Sequence, residues 1–146
     1  MQRELITFEV AGQVFGLDIM AIREIRAWTP TTRLPHVPTY VAGVVNLRGT
    51  VLPVVDLAAR LGWEATVPTP RHAIIVTQLA GKSCGLIVDA VSDIVTIGAD
   101  MLQQPPATTT DPIVNFLEGL AAIDERMVMV LNLAALAEDH QAGEAA

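Results

Sequence analysis

The chain has 146 residues, of which 51% are hydrophobic and 17% are charged, and its formal net charge is −7. This composition excludes a disordered chain, because it supplies enough apolar surface to bury a core. The acidic balance, with Lys82 as the single lysine, argues against a nucleic-acid or anionic-membrane partner, since phosphate binding needs a clustered basic face.

A hairpin and a short helix are predicted at the start of the chain. A β-rich run at residues 5–10 ends at a turn around Gly12, and residues 14–18 return as the second strand. Asp18 can then cap a short helix by accepting a backbone hydrogen bond. The apolar side of that helix would carry an isoleucine at every third position: Ile19, Ile22 and Ile25.

A loop and a second hairpin follow in the sequence. Prolines at positions 30, 35 and 38 exclude regular structure from residues 29–38. Residues 41–47 and 50–57 are then predicted to be strands around Arg48 and Gly49. Pro53 places the second of these strands at a sheet edge or at a bulge, because proline cannot donate a hydrogen bond.

The second half of the chain repeats this order of elements. Residues 11–25 match residues 80–94, which lie 69 positions later, and residues 43–59 match residues 119–135, which lie 76 positions later. The match predicts a duplication with halves at 4–62 and 72–137, joined by a linker near 63–71. Further strands are predicted at 72–79, 82–88, 117–123 and 127–132, then a helical turn at 133–137 and a polar tail at 138–146.

Five or so short strands in each half predict a mainly β chain of two small barrels, because closing a sheet removes its unpaired edges. Neither half has enough residues for an independent core, so we expect one domain, 1–146, with a shared core. The strands at 5–10 and 127–133 are too apolar to stand at an open edge. We therefore expect at least one terminal strand to complete the barrel of the other half.

The motifs do not indicate catalysis, a cofactor or a metal. Residues 81–83 resemble the end of a phosphate-binding loop, but Val76 stands where that loop needs a glycine. The three histidines have no ligand spacing to one another or to Cys84, which we expect in the core. Asp89 and Asp93 would share one face of a short helix, where a solvated surface is expected.

The protein is expected to be cytoplasmic. The richest apolar stretch, residues 119–137, is interrupted by three charged residues, and roughly 20 unbroken apolar residues are needed to span a bilayer. The first residues lack the basic-then-apolar order of a signal peptide. The lone Cys84 excludes an internal disulfide and fits a reducing compartment.

Three ordered segments, residues 15–26, 43–57 and 85–94, carry a family resemblance. They resemble the chemotaxis coupling (adaptor) proteins of the CheW family, and the likeness extends from residue 5 to 133. It implies two five-stranded, SH3-like barrels around a shared core, with short helices and no cofactor. It also implies a non-enzymatic adaptor that couples chemoreceptor tips to the regulatory domain of the histidine kinase CheA in membrane-associated arrays. An enzyme or small-ligand protein that uses the groove between the barrels is the alternative.

The resemblance implies a partner-binding region in an apolar groove between the barrels. For the apolar positions of the second copy, residence in the core is the rival interpretation. The matching positions here are Ile22, Glu24, Leu47, Arg48, Gly85, Val88, Val91 and Ile94.

Arg48 differs from these other positions because the second copy lacks it. Asp124 stands at the matched position, whereas Glu24 has an acidic counterpart in Asp93. We therefore expect an ion pair between Glu24 and Arg48 in the first copy alone. An ordinary surface arginine beside a turn glycine is the alternative interpretation of Arg48.

Overall fold

The computed structural model describes residues 2–79, 81–106 and 111–136, and these ranges contain eleven strands with a few short helices. The strands are β1 Gln2–Val10, β2 Gln13–Asp18, β3 Ile22–Ala27, β4 Val41–Leu47, β5 Thr50–Asp56, β6 Ala73–Leu79, β7 Lys82–Val88, β8 Ala90–Gly98, β9 Leu102–Gln103, β10 Leu117–Ile123 and β11 Arg126–Leu131. The helix α1 spans Leu57–Arg60, and 3-10 turns form at Ile19–Ala21, Ala99–Met101 and Pro112–Phe116. Residues 133–136 are also helical.

The strands form two sheets, and each sheet takes strands from both halves of the sequence. One sheet has the order β8-β1-β2-β11-β10-β9, and the other has the order β3-β6-β7-β5-β4. The hairpin β1–β2 thus lies among strands of the second half, and the hairpin β6–β7 lies among strands of the first half. The mainly β fold class is confirmed, with one sheet of six strands where five were expected because the two-residue β9 pairs with β10.

The pairing registers repeat between the two sheets. In the parallel pairing of β11 with β2, Val130 lies opposite Gly16, and in that of β5 with β7, Val54 lies opposite Gly85. The two glycines are 69 positions apart and the two valines are 76 apart, which are the offsets of the repeated sequence. A Cβ atom on Gly85 would lie 2.7 Å from Cγ2 of Ile74 on β6, so a larger residue here would require Ile74 to move. The two sheets therefore share one arrangement of strands.

The helix predicted after Asp18 is wrong beyond its first turn. The Asp18 carboxylate accepts a hydrogen bond from the Met20 amide at 2.9 Å, but the 3-10 turn ends at Ala21. β3 then pairs antiparallel with β6. Isoleucine favours strands, and pairing with a neighbouring strand outweighs a weak helical spacing. The helix predicted to carry Asp89 and Asp93 is wrong as well, since β8 pairs with β1.

Pro53 lies inside the sheet rather than at its edge. β5 is flanked by β7 on one side and β4 on the other. Proline is tolerated there because β7 pairs with β5 only from Val54 to Asp56. The bulge lies in the partner strand β4, between Val41 and Gly43.

The largest buried cluster joins the two sheets. It is capped by α1 and by the 3-10 turn at Pro112–Phe116, and the linker residue Trp63 packs against it. A smaller apolar cluster lies within each sheet. The shared cluster includes Phe8, Phe15, Leu17 and Leu131 from one sheet, and Ile75, Leu86 and Val88 from the other.

The end of the chain is described only in part. The helical turn predicted at 133–137 is present at 133–136. Residue 137 and the predicted tail at 138–146 lie outside the described residues. None of the described helices is long and apolar enough to cross a membrane.

Candidate partner-binding surface

An ion pair between Glu24 and Arg48 joins the two edges of the five-stranded sheet. Glu24 lies on β3 at one edge, and Arg48 lies in the turn that follows β4 at the other edge. The Nη2 atom of Arg48 donates a hydrogen bond to Oε1 of Glu24. Because the two edges of a flat sheet cannot meet, this contact shows that the sheet curls into a barrel.

Backbone pairing also joins these two edges of the five-stranded sheet. The line along which the edges meet is called the seam below. Thr32 follows β3 and exchanges two backbone hydrogen bonds with Val44 of β4, each 2.8 Å long. Gly43 permits this approach: its φ is +146°, and a Cβ atom there would overlap the carbonyl oxygen of Thr32. The seam therefore combines a glycine-dependent backbone contact with a side-chain ion pair.

The charges at the seam keep Glu24 ionised. The hydrogen bond from Arg48 lowers the pKa of Glu24 below its ordinary value of 4.5, and Arg26, whose Nη1 lies 3.4 Å from Oε2, acts in the same direction. The Arg48 side chain is 65% exposed and that of Glu24 is 25% exposed, so the pair remains accessible to a partner. Hydrogen bonds to charged groups are directional and can fix the register of an interface.

The turn around Arg48 has its own support. Arg48 has a φ of 52° and Gly49 a φ of 86°, as in the tight turns of two-residue hairpins. The Asn46 side chain accepts a hydrogen bond from the Gly49 amide at 2.8 Å. Arg48 is therefore presented from an ordered turn.

Three of the predicted partner-binding positions lie in the core instead. Leu47 is 8% exposed, Val88 is fully buried, and Gly85 is buried beneath Ile74. For Gly85 and Val88 this burial agrees with the rival interpretation of residence in the core, which was not raised for Leu47.

The remaining apolar positions divide between the two barrels. Ile22 is partly buried on β3 of the five-stranded sheet. Val91 and Ile94 lie on β8, at the edge of the six-stranded sheet. Val91 packs against the shared core, whereas Ile94 is 57% exposed. Ile94 therefore belongs to a different barrel from Glu24 and Arg48.

A second ion pair, which the sequence analysis missed, joins Asp93 to Arg126. The Nη2 atom of Arg126 lies 3.7 Å from Oδ2 of Asp93. Asp93 is the counterpart of Glu24, and Arg126 stands two positions after Asp124, the counterpart of Arg48. The expectation that only the first copy could form such a pair is therefore wrong. A comparison of the two hairpins as whole units would have found the arginine.

Exposed apolar residues accompany both ion pairs at matched positions. Ile25, which follows Glu24, is 40% exposed, and its counterpart is Ile94. Val51, at the start of β5, is 69% exposed, and its counterpart Met127 is 55% exposed. Each barrel thus presents an ion pair with exposed apolar side chains on the same strand and hairpin.

The described residues offer little reactive chemistry. Burial raises the pKa of the Cys84 thiol to about 11, so the sulfur is protonated at neutral pH and is a poor nucleophile. Within the three described ranges, no group of three histidine, cysteine or acidic side chains could hold a metal ion.

Comparison with known proteins gives consistent matches. Residues 4–141 match the family model of the CheW-like domain. The chain is 52% identical over 134 residues to the probable chemotaxis protein CheW of Rhizobium etli, covering 92% of this chain and 86% of that protein. It is 52% identical over 131 residues to the chemotaxis protein CheW of Rhizobium meliloti, covering 90% and 84%. The crystal structure of the scaffolding protein TtCheW from Thermoanaerobacter tengcongensis matches with a TM-score of 0.83 at 33% identity, covering 93% of this chain and 88% of that one.

Proposed function

The chain belongs to the CheW-like domain family, and on that basis we propose that it is a non-enzymatic chemotaxis adaptor that couples chemoreceptor tips to the histidine kinase CheA. The match over residues 4–141 carries this proposal, since it includes both barrels and the seam residues. The solved relative is named as a scaffolding protein, which supports a role in assembly.

The ion pair Glu24–Arg48 supports a docking role for the first barrel. Both charges are accessible at the seam, and an exposed apolar side chain, Val51, lies in the same hairpin. Apolar packing would supply most of the binding free energy, while the charges would fix the register of the partner. Among the eight predicted positions, those that are exposed or only partly buried are Ile22, Glu24, Arg48, Val91 and Ile94. We propose that these contact the receptor or the kinase.

The affinity of each contact is expected to be modest, roughly micromolar, because arrays gain strength from many weak contacts acting together. The protein would then reside in the cytoplasm and reach the membrane-associated arrays through its partners. No direct membrane insertion and no cofactor are required.

A small-ligand or enzymatic role would call for convergent polar groups with shifted pKa values. The pKa of Arg3 is raised mainly by its hydrogen bonds to Glu118, and that of Glu24 is lowered by Arg48. Burial alone raises the pKa of Cys84. Ion pairing and burial explain these shifts, so none of them favours the alternative function.

The direct test mixes the purified chain, a receptor-tip fragment and CheA, and measures by sedimentation whether the kinase associates with receptor. We expect association to require the chain, and the variant Arg48→Glu to weaken it. Arg33→Glu is the matched control, because Arg33 is an exposed arginine in the proline-rich loop. Absence of binding to receptor fragment and kinase alike would overturn the proposal.

A further inference from the structure

Arg60 is a buried cation held between two aromatic rings. Its guanidinium carbon lies 4.7 Å from the ring centroid of Tyr40 and 4.6 Å from that of Phe116. The Nη2 atom donates a hydrogen bond to the carbonyl oxygen of Leu136 at 2.8 Å, and the residue is 7% exposed. A guanidinium is planar and can present one face to each ring.

The two rings occupy matched positions in the duplicated chain. Tyr40 and Phe116 are 76 positions apart, which is the offset of the repeat in this region. Their carbonyl oxygens have matched partners, because the Asp56 amide donates to Tyr40 and the Asn132 amide donates to Phe116, both at 2.8 Å. The same offset relates Arg60 to Leu136, so Arg60 contacts its own counterpart.

Because the hairpins β1–β2 and β6–β7 are exchanged between the sheets, the two halves of the chain are related by an approximate two-fold rotation. The operation that carries β3, β4 and β5 onto β8, β10 and β11 moves them from the five-stranded to the six-stranded sheet. It carries β1–β2 onto β6–β7 in the opposite direction. The operation therefore interchanges the barrels. Arg60 lies at nearly equal distances from the matched rings of Tyr40 and Phe116, and it contacts Leu136, the residue at its own matched position. A residue with these contacts lies next to the two-fold axis that relates the barrels.

We propose that Arg60 is a positioning residue on the pseudo-two-fold axis, whose guanidinium, wedged between Tyr40 and Phe116, sets the angle between the two barrels. Apolar packing in the shared core is not directional and by itself permits small rotations of one barrel on the other. The stacked guanidinium and its hydrogen bond to Leu136 are directional.

This role has a consequence for the surface. The ion pairs Glu24–Arg48 and Asp93–Arg126 lie on different barrels, so the angle between the barrels sets the spacing of the two ion pairs. The inference rests on the fold and does not depend on the proposed function.

The test measures the distance between the barrels in the full chain. Spin labels are placed at Val51→Cys and Met127→Cys in a Cys84→Ala background, because these two exposed positions are matched and lie one on each barrel. The parent protein should give one narrow distance distribution by electron–electron double resonance. Arg60→Leu should broaden and shift it, whereas Arg71→Leu, an exposed arginine in the linker, should leave it unchanged.

Two further variants keep the test decisive if Arg60→Leu does not fold. Arg60→Lys retains the charge but lacks the planar faces, and Phe116→Leu removes one ring. Both should broaden the distribution under conditions where thermal melts show the protein to be folded. An unchanged distribution in the folded variants would overturn the proposal, because the core alone would then set the angle.

Discussion

Glu24 and Asp93 occupy matched positions on the edge strands of the two barrels, and each pairs with an arginine from the hairpin of its own sheet. The first pair includes a hydrogen bond from Arg48, while the second, to Arg126, spans 3.7 Å. In the five-stranded sheet the arginine belongs to the hairpin at the edge opposite Glu24, whereas in the six-stranded sheet Arg126 begins β11, which lies between β2 and β10. The duplication has therefore preserved the pairing of charges while the position of the arginine in the hairpin has changed.

Reversing the charges at the first seam should impair binding more than folding. Glu24→Arg and Arg48→Glu should each weaken association with receptor fragment or CheA, while the melting temperature stays within a few degrees, because the pair is accessible to solvent. The double reversal should restore part of the binding if the two residues act through each other. Titration calorimetry and thermal melts measure the two effects. Normal binding by both single variants would make Arg48 an ordinary surface residue.

The pH dependence of Glu24 follows from its ion pair. Its pKa is lowered by Arg48, so the pair contributes above the ordinary value of 4.5 and is lost only as the pH falls through the lower, folded-state value. Carboxyl ¹³C NMR should give a midpoint below 4.5, and Arg48→Ala should move it upwards. Partner binding should not change between about pH 6 and pH 8 on account of Glu24. A midpoint at or above 4.5 in the parent protein would show that the pair does not persist in solution.

Cys84 should react slowly with thiol reagents. Its pKa of about 11, against an ordinary 9.0, lowers the thiolate fraction at neutral pH by about 100-fold, and its partial burial limits access further. Alkylation by iodoacetamide should therefore be much slower in the folded than in the unfolded protein, and should accelerate as the pH rises towards 11. Val51→Cys in a Cys84→Ala background supplies an exposed control. Equal rates at the two sites would contradict the burial of the thiol.

Two glycines with positive φ should respond differently to alanine. Gly43→Ala forces a Cβ atom into the Thr32 carbonyl and should lower the free energy of unfolding by roughly 3 kcal/mol or more. Gly49→Ala meets no atom within 4 Å and should cost about 1–2 kcal/mol, the strain of its backbone alone. Denaturant unfolding measures both values. Equal costs would mean that the backbone contact between Thr32 and Val44 is dispensable.

The first half of the chain should not fold alone. A fragment of residues 1–65 contains β1–β2 without their partners β8 and β11, and β3–β5 without β6–β7. Calorimetry should show no cooperative transition for this fragment, whereas a mixture with residues 66–146 should recover one. A cooperative melt of the first fragment by itself would refute this prediction.

Local signals in the sequence determined most strands and the hairpin turns that join them. The strands at 5–10, 14–18, 41–47 and 82–88 were predictable because apolar runs bounded by glycine, proline and polar turn residues act over a few positions. β3 and β8 were not. For β3, three isoleucines spaced by three suit a short helix and an edge strand equally well, and for β8, Asp89 and Asp93 have a spacing that also fits one face of a helix. The choice between them depends on pairing with β6 and β1, which are distant in the chain.

The sequence by itself determined the duplication and the mainly β class, because these follow from residue types at repeated positions. It also predicted the acid–arginine pair of the first copy, from an arginine that the second copy lacks at the matched position. Only the tertiary structure decided which predicted contacts are accessible, burying Leu47, Gly85 and Val88 while exposing Ile94. It also decided that Arg126 reaches Asp93 and that Arg60 lies between two matched rings. These contacts arise because the exchange of hairpins brings together residues from both halves of the chain. No local sequence pattern encodes whether Arg60 or its counterpart Leu136 lies nearer the two-fold axis.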